Sequence, residues 1–388
     1  MGDPSLAEDP NVTLEELQLA TRNHGMPLEG LRYDVTPAGM HYLLIHFDVP
    51  EVRPETWSLT VDGRVRSPLD LDLHDLQGRE TVTRRVTMEC AGNGRARLAP
   101  RPLSQPWLVE AVGNAEWTGT PLAPILQEAG LEDDVVDLVF TGADHGLQGD
   151  VEQDYQRSLS VDDAMRPDVM LAWQMNGQPL LPQHGAPVRL LVPGWYGMTS
   201  VKWLARIEAV PDRFEGFQML AYRRRDKADD EGIDVTRIFP RALMIPPGFP
   251  DFFTRTRIVN AGPVELRGRA WSGRGRIERV EVSTDGGTSW RQATLGEQPT
   301  STEWVPWEVD WEAEPGEHEL VVRAADDAGN VQPLEQSWNH HGLENNAVQR
   351  VPRRPSPRKS VQTSRASNAW QIRSASGPTR TFTTPPRA

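Results

Sequence analysis

The pattern of apolar residues changes once along the chain, near Phe239, and this change limits the available folds more than any other feature. Beyond it, apolar residues alternate in short runs: Val280 and Val282, then Trp307, Val309 and Trp311, then Leu320, Val322 and Ala324. Alternation sends successive side chains to opposite faces of a strand, so each run has one face to bury. Asp285-Gly286-Gly287 and Asp327-Ala328-Gly329-Asn330 supply turns between some of them. Short half-buried strands separated by turns predict an all-β, immunoglobulin-like sandwich over residues 239–351.

Before Phe239 the signals are mixed, which predicts an α+β domain over residues 40–238 behind an N-terminal segment, 1–39. Trp57, Leu59 and Val61 alternate into Asp62-Gly63, as a strand entering a turn does. Thr120 is placed to cap a helix with Pro121 in its first turn and Gly130 as its stop. Ser160 and Asp163 open a second, short helix that ends before Pro167. Asn176-Gly177 reads as a tight hairpin turn, and residues 188–192 and 201–207 as buried strands. The alternating charges from Arg223 to Asp234 predict an exposed crossover. A chain of 388 residues accommodates two such cores.

From Pro352 the composition shifts again: residues 352–388 carry eight Arg and Lys and no Asp or Glu. This predicts a basic, disordered tail. Taking those eight charges from the formal −14 of the whole chain leaves the first 351 residues at −22. A body so acidic repels phosphate backbones and anionic headgroups, so neither nucleic acid nor a membrane surface is an expected partner, and any bound anion needs a local basic pocket. The first residues, MGDPSLAEDPNVTLEELQ, lack the charged-then-apolar layout of a secretory signal and a twin arginine, so the expected location is cytoplasmic; the periplasm stays open if a leader precedes the chain.

One cysteine, Cys90, excludes an intramolecular disulfide and any multi-cysteine zinc or iron-sulfur site. It lies in Met88-Glu89-Cys90-Ala91-Gly92-Asn93-Gly94-Arg95, where an apolar segment meets a loop whose glycines allow close approach of a bulky ligand. A lone cysteine is commonly inert packing. A soft thiolate also suits a metal held by other sulfurs, and Arg95 would both favour the thiolate and attract an anion. Gly92-Asn93-Gly94 lacks the third glycine of a dinucleotide fold, and His340-His341 has no further nearby ligands for a separate metal site.

The stretch Met88 to Arg95 resembles the cysteine loop of the sulfite oxidase family. The similarity continues through Pro106-Trp107, Trp117, Asp144, MNGQPLLPQHGAPVRLLVPG (175–194), Val201-Lys202-Trp203, VEVSTDGGTSW (280–290), residues 326–333, Trp338-Asn339, Asn346-Ala347 and Arg350. The resemblance implies a molybdopterin-binding domain of the sulfite oxidase type, with molybdenum held by a pyranopterin dithiolene, and a C-terminal domain that forms a homodimer. It implies Cys90 as the metal's protein ligand, and His46, Asp144, His184, Arg189 and Lys202 as contacts to the pterin and its phosphate. Arg95, Trp107, Tyr222 and Arg350 match positions that line the substrate's anion site. One departure stands out. Leu44-Ile45-His46 occupies the place of the family's Arg-Asn-His, while a literal Arg22-Asn23-His24 lies earlier. His46 is the better pterin contact on spacing, and Arg22 is a candidate to supply the missing guanidinium.

The implied activity is molybdenum-dependent oxidation of sulfite to sulfate by oxygen-atom transfer, with electrons leaving to an external acceptor. Two alternatives stand beside it: the same cofactor acting on another substrate, as a sulfoxide reductase or small-oxyanion oxidase, or a non-catalytic binding protein that has lost the cofactor. Trp271, Trp290, Trp304 and Trp307 give the sandwich more aromatic surface than its size requires, which supports association, with core packing as the competing explanation.

Overall fold

The computed structural model describes residues 6–7 and 11–355. Residues 356–388, most of the segment expected to be a disordered tail, lie outside the described residues.

Two five-stranded sheets build the first domain. One runs Leu69–Asp72, Ser58–Gly63, Leu204–Val210, Asp137–Gln148, Val151–Ser160, and its Ser58–Gly63 and Leu204–Val210 strands pair in parallel. The other runs Gln178–Pro179, Met170–Met175, Val112–Pro121, Val82–Glu89, with Arg189–Leu191 also on Met170–Met175. Leu59 and Val61 are buried, as their alternation predicted, against Leu138, Phe140, Leu126 and Ile207. Asn176 and Gly177 both have positive φ, 53° and 72°, the conformation a two-residue hairpin turn requires.

The helix expected to begin at Thr120 starts later. Thr120 and Pro121 end the strand Val112–Pro121, and the helix is Ala123–Ala129, with Pro124 in its first turn and Gly130 closing it at φ 69°. Strand pairing of Pro121 with Met170 holds those two residues extended, so the local capping signal yields to the sheet. The short helix Val161–Ala164 forms as read, with the Ser160 hydroxyl accepting from the Asp163 N–H at 3.2 Å. Residues 223–234, expected to be an exposed crossover, are largely exposed but form a small hairpin of Arg223–Arg224 with Ile233–Asp234 in which Arg223 is buried on Asp234.

From Arg241 the chain forms two facing sheets. The first is ordered Arg241–Met244, Gly262–Trp271, Val305–Ala313, Thr294–Leu295; the second Phe249–Pro250, Arg257–Val259, Gln349–Pro355, His318–Asp326, Ile277–Ser283, Arg291–Gln292. Ala242, Leu266 and Trp307 from one sheet and Val280, Val322 and Val351 from the other share one core, as a sandwich requires.

Two expectations about this region need correction. Pro352 does not open a disordered tail: the strand Gln349–Pro355 continues to Pro355, and Arg353 is buried with its guanidinium donating to the carbonyls of Glu314, Gly316 and Val259. Arginine composition gave no hint of this, because here the charge is neutralised by carbonyls rather than carboxylates. The tryptophans Trp271, Trp304 and Trp307 are buried within the chain. The Trp271 indole donates to Glu89 Oε2 at 2.7 Å and that of Trp304 to the Asp34 carbonyl at 3.0 Å, so both tie the sandwich to earlier parts of the same chain.

Candidate active site

Cys90 follows directly on the strand Val82–Glu89, and the loop after it turns sharply. Gly94 has φ 96°, and a Cβ at Gly92 would lie 2.7 Å from Arg95 Cζ, so the Arg95 guanidinium folds back under the loop only because residue 92 has no side chain. Arg95 is 7% exposed and donates from Nε to the His341 carbonyl at 2.8 Å and from one terminal nitrogen to the Gln105 carbonyl at 3.4 Å. Burial pushes the Cys90 thiol up from its ordinary range, while Arg95 and the Trp107 indole N–H pull it back down.

A pocket opens on Cys90. Its lining includes His41, His46, Asp144, His184, Arg189 and Lys202 from scattered elements, and Tyr42, Tyr155 and Tyr222. Asp144 sits where the register of Asp137–Gln148 against Val151–Ser160 shifts between Thr141 and His145; the bulge turns the carboxylate out of the ladder. His184 closes the turn Pro182–His184, and Gly185, at φ 99°, lets the chain pass over Lys202, whose Cβ would be 2.8 Å from a Cβ at residue 185. Arg189 donates to the carbonyls of His184 at 3.1 Å and Ser200 at 2.9 Å, with its guanidinium 5.0 Å from the Trp117 ring centre. Lys202 Nζ donates to the carbonyls of Leu44 at 2.8 Å and Gln183 at 3.2 Å. His46 Nε2 lies 2.8 Å from Gln148 Oε1, which fixes its ring.

The electrostatics of this end are one-sided. Burial, then Arg189, brings Lys202 down to about 7; burial brings Arg189 down to about 10. Burial and the neighbouring His41, Arg189 and Lys202 bring His184 down to about 3, and burial brings His41 down to about 4. Asp144, raised to about 6 by burial against the pull of Lys202, offers little compensation. Asp144 Oδ1 and Arg189 Nε are buried with no hydrogen-bond partner among the described residues. Buried polar atoms are normally paired, so such a set points to a polar ligand that completes them. A phosphate among Arg189, Lys202 and His184 and a hydrogen-bonding ring edge at Asp144 and His46 satisfy the set, and a buried thiol at the opposite end suits a soft metal.

The structure therefore brings Cys90, His46, Asp144, His184, Arg189, Lys202 and Tyr222 to one pocket. Arg95 and Trp107 lie buried beside Cys90, behind the lining. Arg350 does not join them. It lies on Gln349–Pro355 and pairs with Glu319 at 2.8 Å and Glu335 at 2.9 Å, carboxylates of its own sheet and of the loop before it. Arg22 is an exposed residue whose guanidinium donates to the Phe47 carbonyl at 2.8 Å, and His24 is exposed as well, so neither enters the pocket. The linings that sequence reading missed are chiefly His41, Tyr42, Tyr155 and Ser200. Tyr155 was recoverable in principle from its alternation with buried Arg157 and Leu159 on one strand; the others stand in irregular segments without a periodic signal.

Residues 46–218 match the model of the oxidoreductase molybdopterin binding domain, and residues 252–354 that of the Mo-co oxidoreductase dimerisation domain. The chain belongs to the sulfite oxidase family of molybdenum-cofactor oxidoreductases. It is 34% identical over 338 residues to the mitochondrial sulfite oxidase of Homo sapiens, covering 82% of this chain and 61% of that protein. It is 31% identical over 354 residues to inducible NADH nitrate reductase 2 of Glycine max, covering 82% and 39%. The chain thus spans less than two thirds of the length of these curated relatives. The sulfane dehydrogenase SoxCD of Paracoccus pantotrophus superposes with a TM-score of 0.74 at 27% identity, covering 89% of this chain and 86% of that one. Molybdenum and molybdopterin are the cofactor of this family, and the residues of the pocket fit it on the chemistry described above.

Proposed function

We propose that the protein oxidises sulfite to sulfate and passes the electrons to an external acceptor. The observation that carries the reading is the placement of a buried thiol, Cys90, and a tyrosine, Tyr222, in one pocket, with the carboxylate-free guanidinium of Arg95 directly behind. In the net reaction sulfite gains one oxygen from water and releases two electrons and two protons. The cofactor, when bound, supplies the two-electron redox chemistry and oxygen-atom transfer. The chain's residues do the rest. Cys90 Sγ would hold the metal, Arg189 and Lys202 the phosphate, and Asp144 and His46 the ring edges. Arg95 supplies positive charge to an anion next to Cys90. The Tyr222 hydroxyl, raised to about 12 by burial and by Cys90, keeps its proton and is free to donate a hydrogen bond to a substrate oxygen.

The apolar lining, with Leu44 and Met88 clustered with Cys90 and Met198 clustered with Tyr222, favours a second reading in which the same cofactor acts on a less charged substrate such as a sulfoxide. Steady-state assays of holoenzyme with sulfite and an artificial acceptor, and with a sulfoxide and an artificial donor, separate the two. Sulfite turnover with one molybdenum per chain supports the first reading; sulfoxide reduction without sulfite turnover replaces it. The dimerisation domain supports a homodimer built through residues 252–354. Light scattering at low concentration tests it, and a monomer mass rejects it.

A further inference from the structure

Arg157 is 2% exposed, and it lies two residues after Tyr155 on the strand Val151–Ser160, so the two side chains leave the same face. Tyr155 lines the pocket. Among the described residues the Arg157 guanidinium has two neighbours of note. It donates to the Gln218 carbonyl at 2.6 Å, and its central carbon lies 5.6 Å from the centre of the Tyr222 ring. Its Nε is buried with no acceptor among the described residues. Asp234, the carboxylate whose field reaches it, is already paired with Arg213 and Arg223. A guanidinium keeps its charge in proteins, and burying it without a counter-ion is costly.

The helix Phe217–Ala221 hands the chain to Tyr222, so the bond to the Gln218 carbonyl anchors the element that delivers this tyrosine. Tyr222 thus shares the pocket with Cys90, and two buried guanidiniums that have no ion-pair partner among the described residues, Arg95 and Arg157, act on it. Met198, which lines the pocket and shares an apolar cluster with Tyr222, carries no charge.

We propose that Arg157 is a positioning residue for the substrate anion: it stacks on Tyr222 to aim the hydroxyl and lends the anion site a second positive charge beside Arg95. This rests on the oxyanion reading above. The two effects separate by experiment, because the charge acts on anion affinity and the stack on turnover.

The test uses holoenzyme, with molybdenum content measured for each variant. Sulfite kinetics are recorded alongside the rise in melting temperature on titration with sulfate, a non-reacting anion of similar shape. Arg157→Met is expected to raise KM, and the sulfate concentration giving half the thermal shift, by about tenfold at unchanged metal content. Arg157→Lys, which keeps the charge without the planar stack, is expected to hold both near wild type while lowering kcat. Wild-type KM and sulfate response in fully metallated Arg157→Met overturns the inference. If that variant does not accumulate, Arg157→Lys decides: loss of the sulfate response with metal retained overturns it, and a retained response with lowered kcat supports it. If the wild-type protein itself neither oxidises sulfite nor responds to sulfate, the sulfite reading is what fails.

Discussion

The two ends of the pocket are built by different means. At the basic end, where a phosphate would bind, His41, His46, Asp144, His184, Arg189 and Lys202 all come from the first domain, and several have buried atoms unpartnered among the described residues or destabilised charges. At the thiol end the loop that carries Cys90 is gripped by the sandwich. Arg241 pairs with Glu89 at 2.7 Å and donates to the carbonyls of Asn93 and Asn345; Asn345 Nδ2 donates to the Gly94 carbonyl at 2.7 Å; the Glu344 N–H donates to the Ala91 carbonyl at 2.8 Å. The first end is shaped to be completed by a ligand, whereas the second is completed by the protein. A group that must ligate a metal in one geometry gains from a rigid surround, and a group that must bind a phosphate gains from donors still to be paired.

The largest expected effect falls on the thiol itself. Protein made in a host that synthesises the cofactor should carry about one molybdenum per chain, and Cys90→Ser should abolish turnover while circular dichroism stays native. An active wild-type protein with no molybdenum by metal analysis would falsify the cofactor assignment for both ends at once.

Next in size is the grip on the loop. Arg241 and Glu89 are each 1% exposed, and removing one partner of a buried pair strands the other charge. Arg241→Met should cost about 3–5 kcal/mol in denaturant unfolding. Loss of under about 1 kcal/mol would show that the sandwich merely touches the cysteine loop.

On the substrate and cofactor contacts the comparison sharpens further. Arg95→Gln should lower kcat/KM for sulfite by about ten- to a hundredfold, since it removes a buried positive charge that attracts the anion from behind the lining. The same change at Arg350 was expected to behave alike from sequence; its pairing with Glu319 and Glu335 predicts an effect within about twofold instead. Arg189→Met should leave sulfite KM unaltered in the metallated fraction but lower cofactor retention by about ten- to a hundredfold, read as molybdenum per chain after gel filtration.

The smallest effect is a pH dependence at the phosphate end. Lys202 is held at about 7, below its unfolded value, so its contribution to stability is complete above the unfolded pKa and is lost as pH falls through about 7. Cofactor-free protein should therefore gain melting temperature between pH 7 and 9 relative to Lys202→Met. Parallel profiles for the two proteins would mean that Lys202 is not desolvated there.

The sequence alone carried some of the first domain's strands, the hairpin at Asn176-Gly177 and the sandwich, because these depend on alternation and turn chemistry, and the resemblance, read from motifs in order, named the seven residues that share the pocket. Where chain-local signals compete with pairing partners far away, they fail: Thr120-Pro121 is a good helix start, yet it is held as strand by Met170 and Leu171. Only the tertiary structure decided which arginines hold charge for the site. Arg95, Arg157, Arg350 and Arg353 are alike as letters, but Arg350 meets carboxylates, Arg353 meets carbonyls, and Arg95 and Arg157 are buried around Tyr222 without a counter-ion among the described residues. A guanidinium's role is set by what it meets, and for these four the partners lie from 10 to 246 residues away along the chain, at separations no local pattern records.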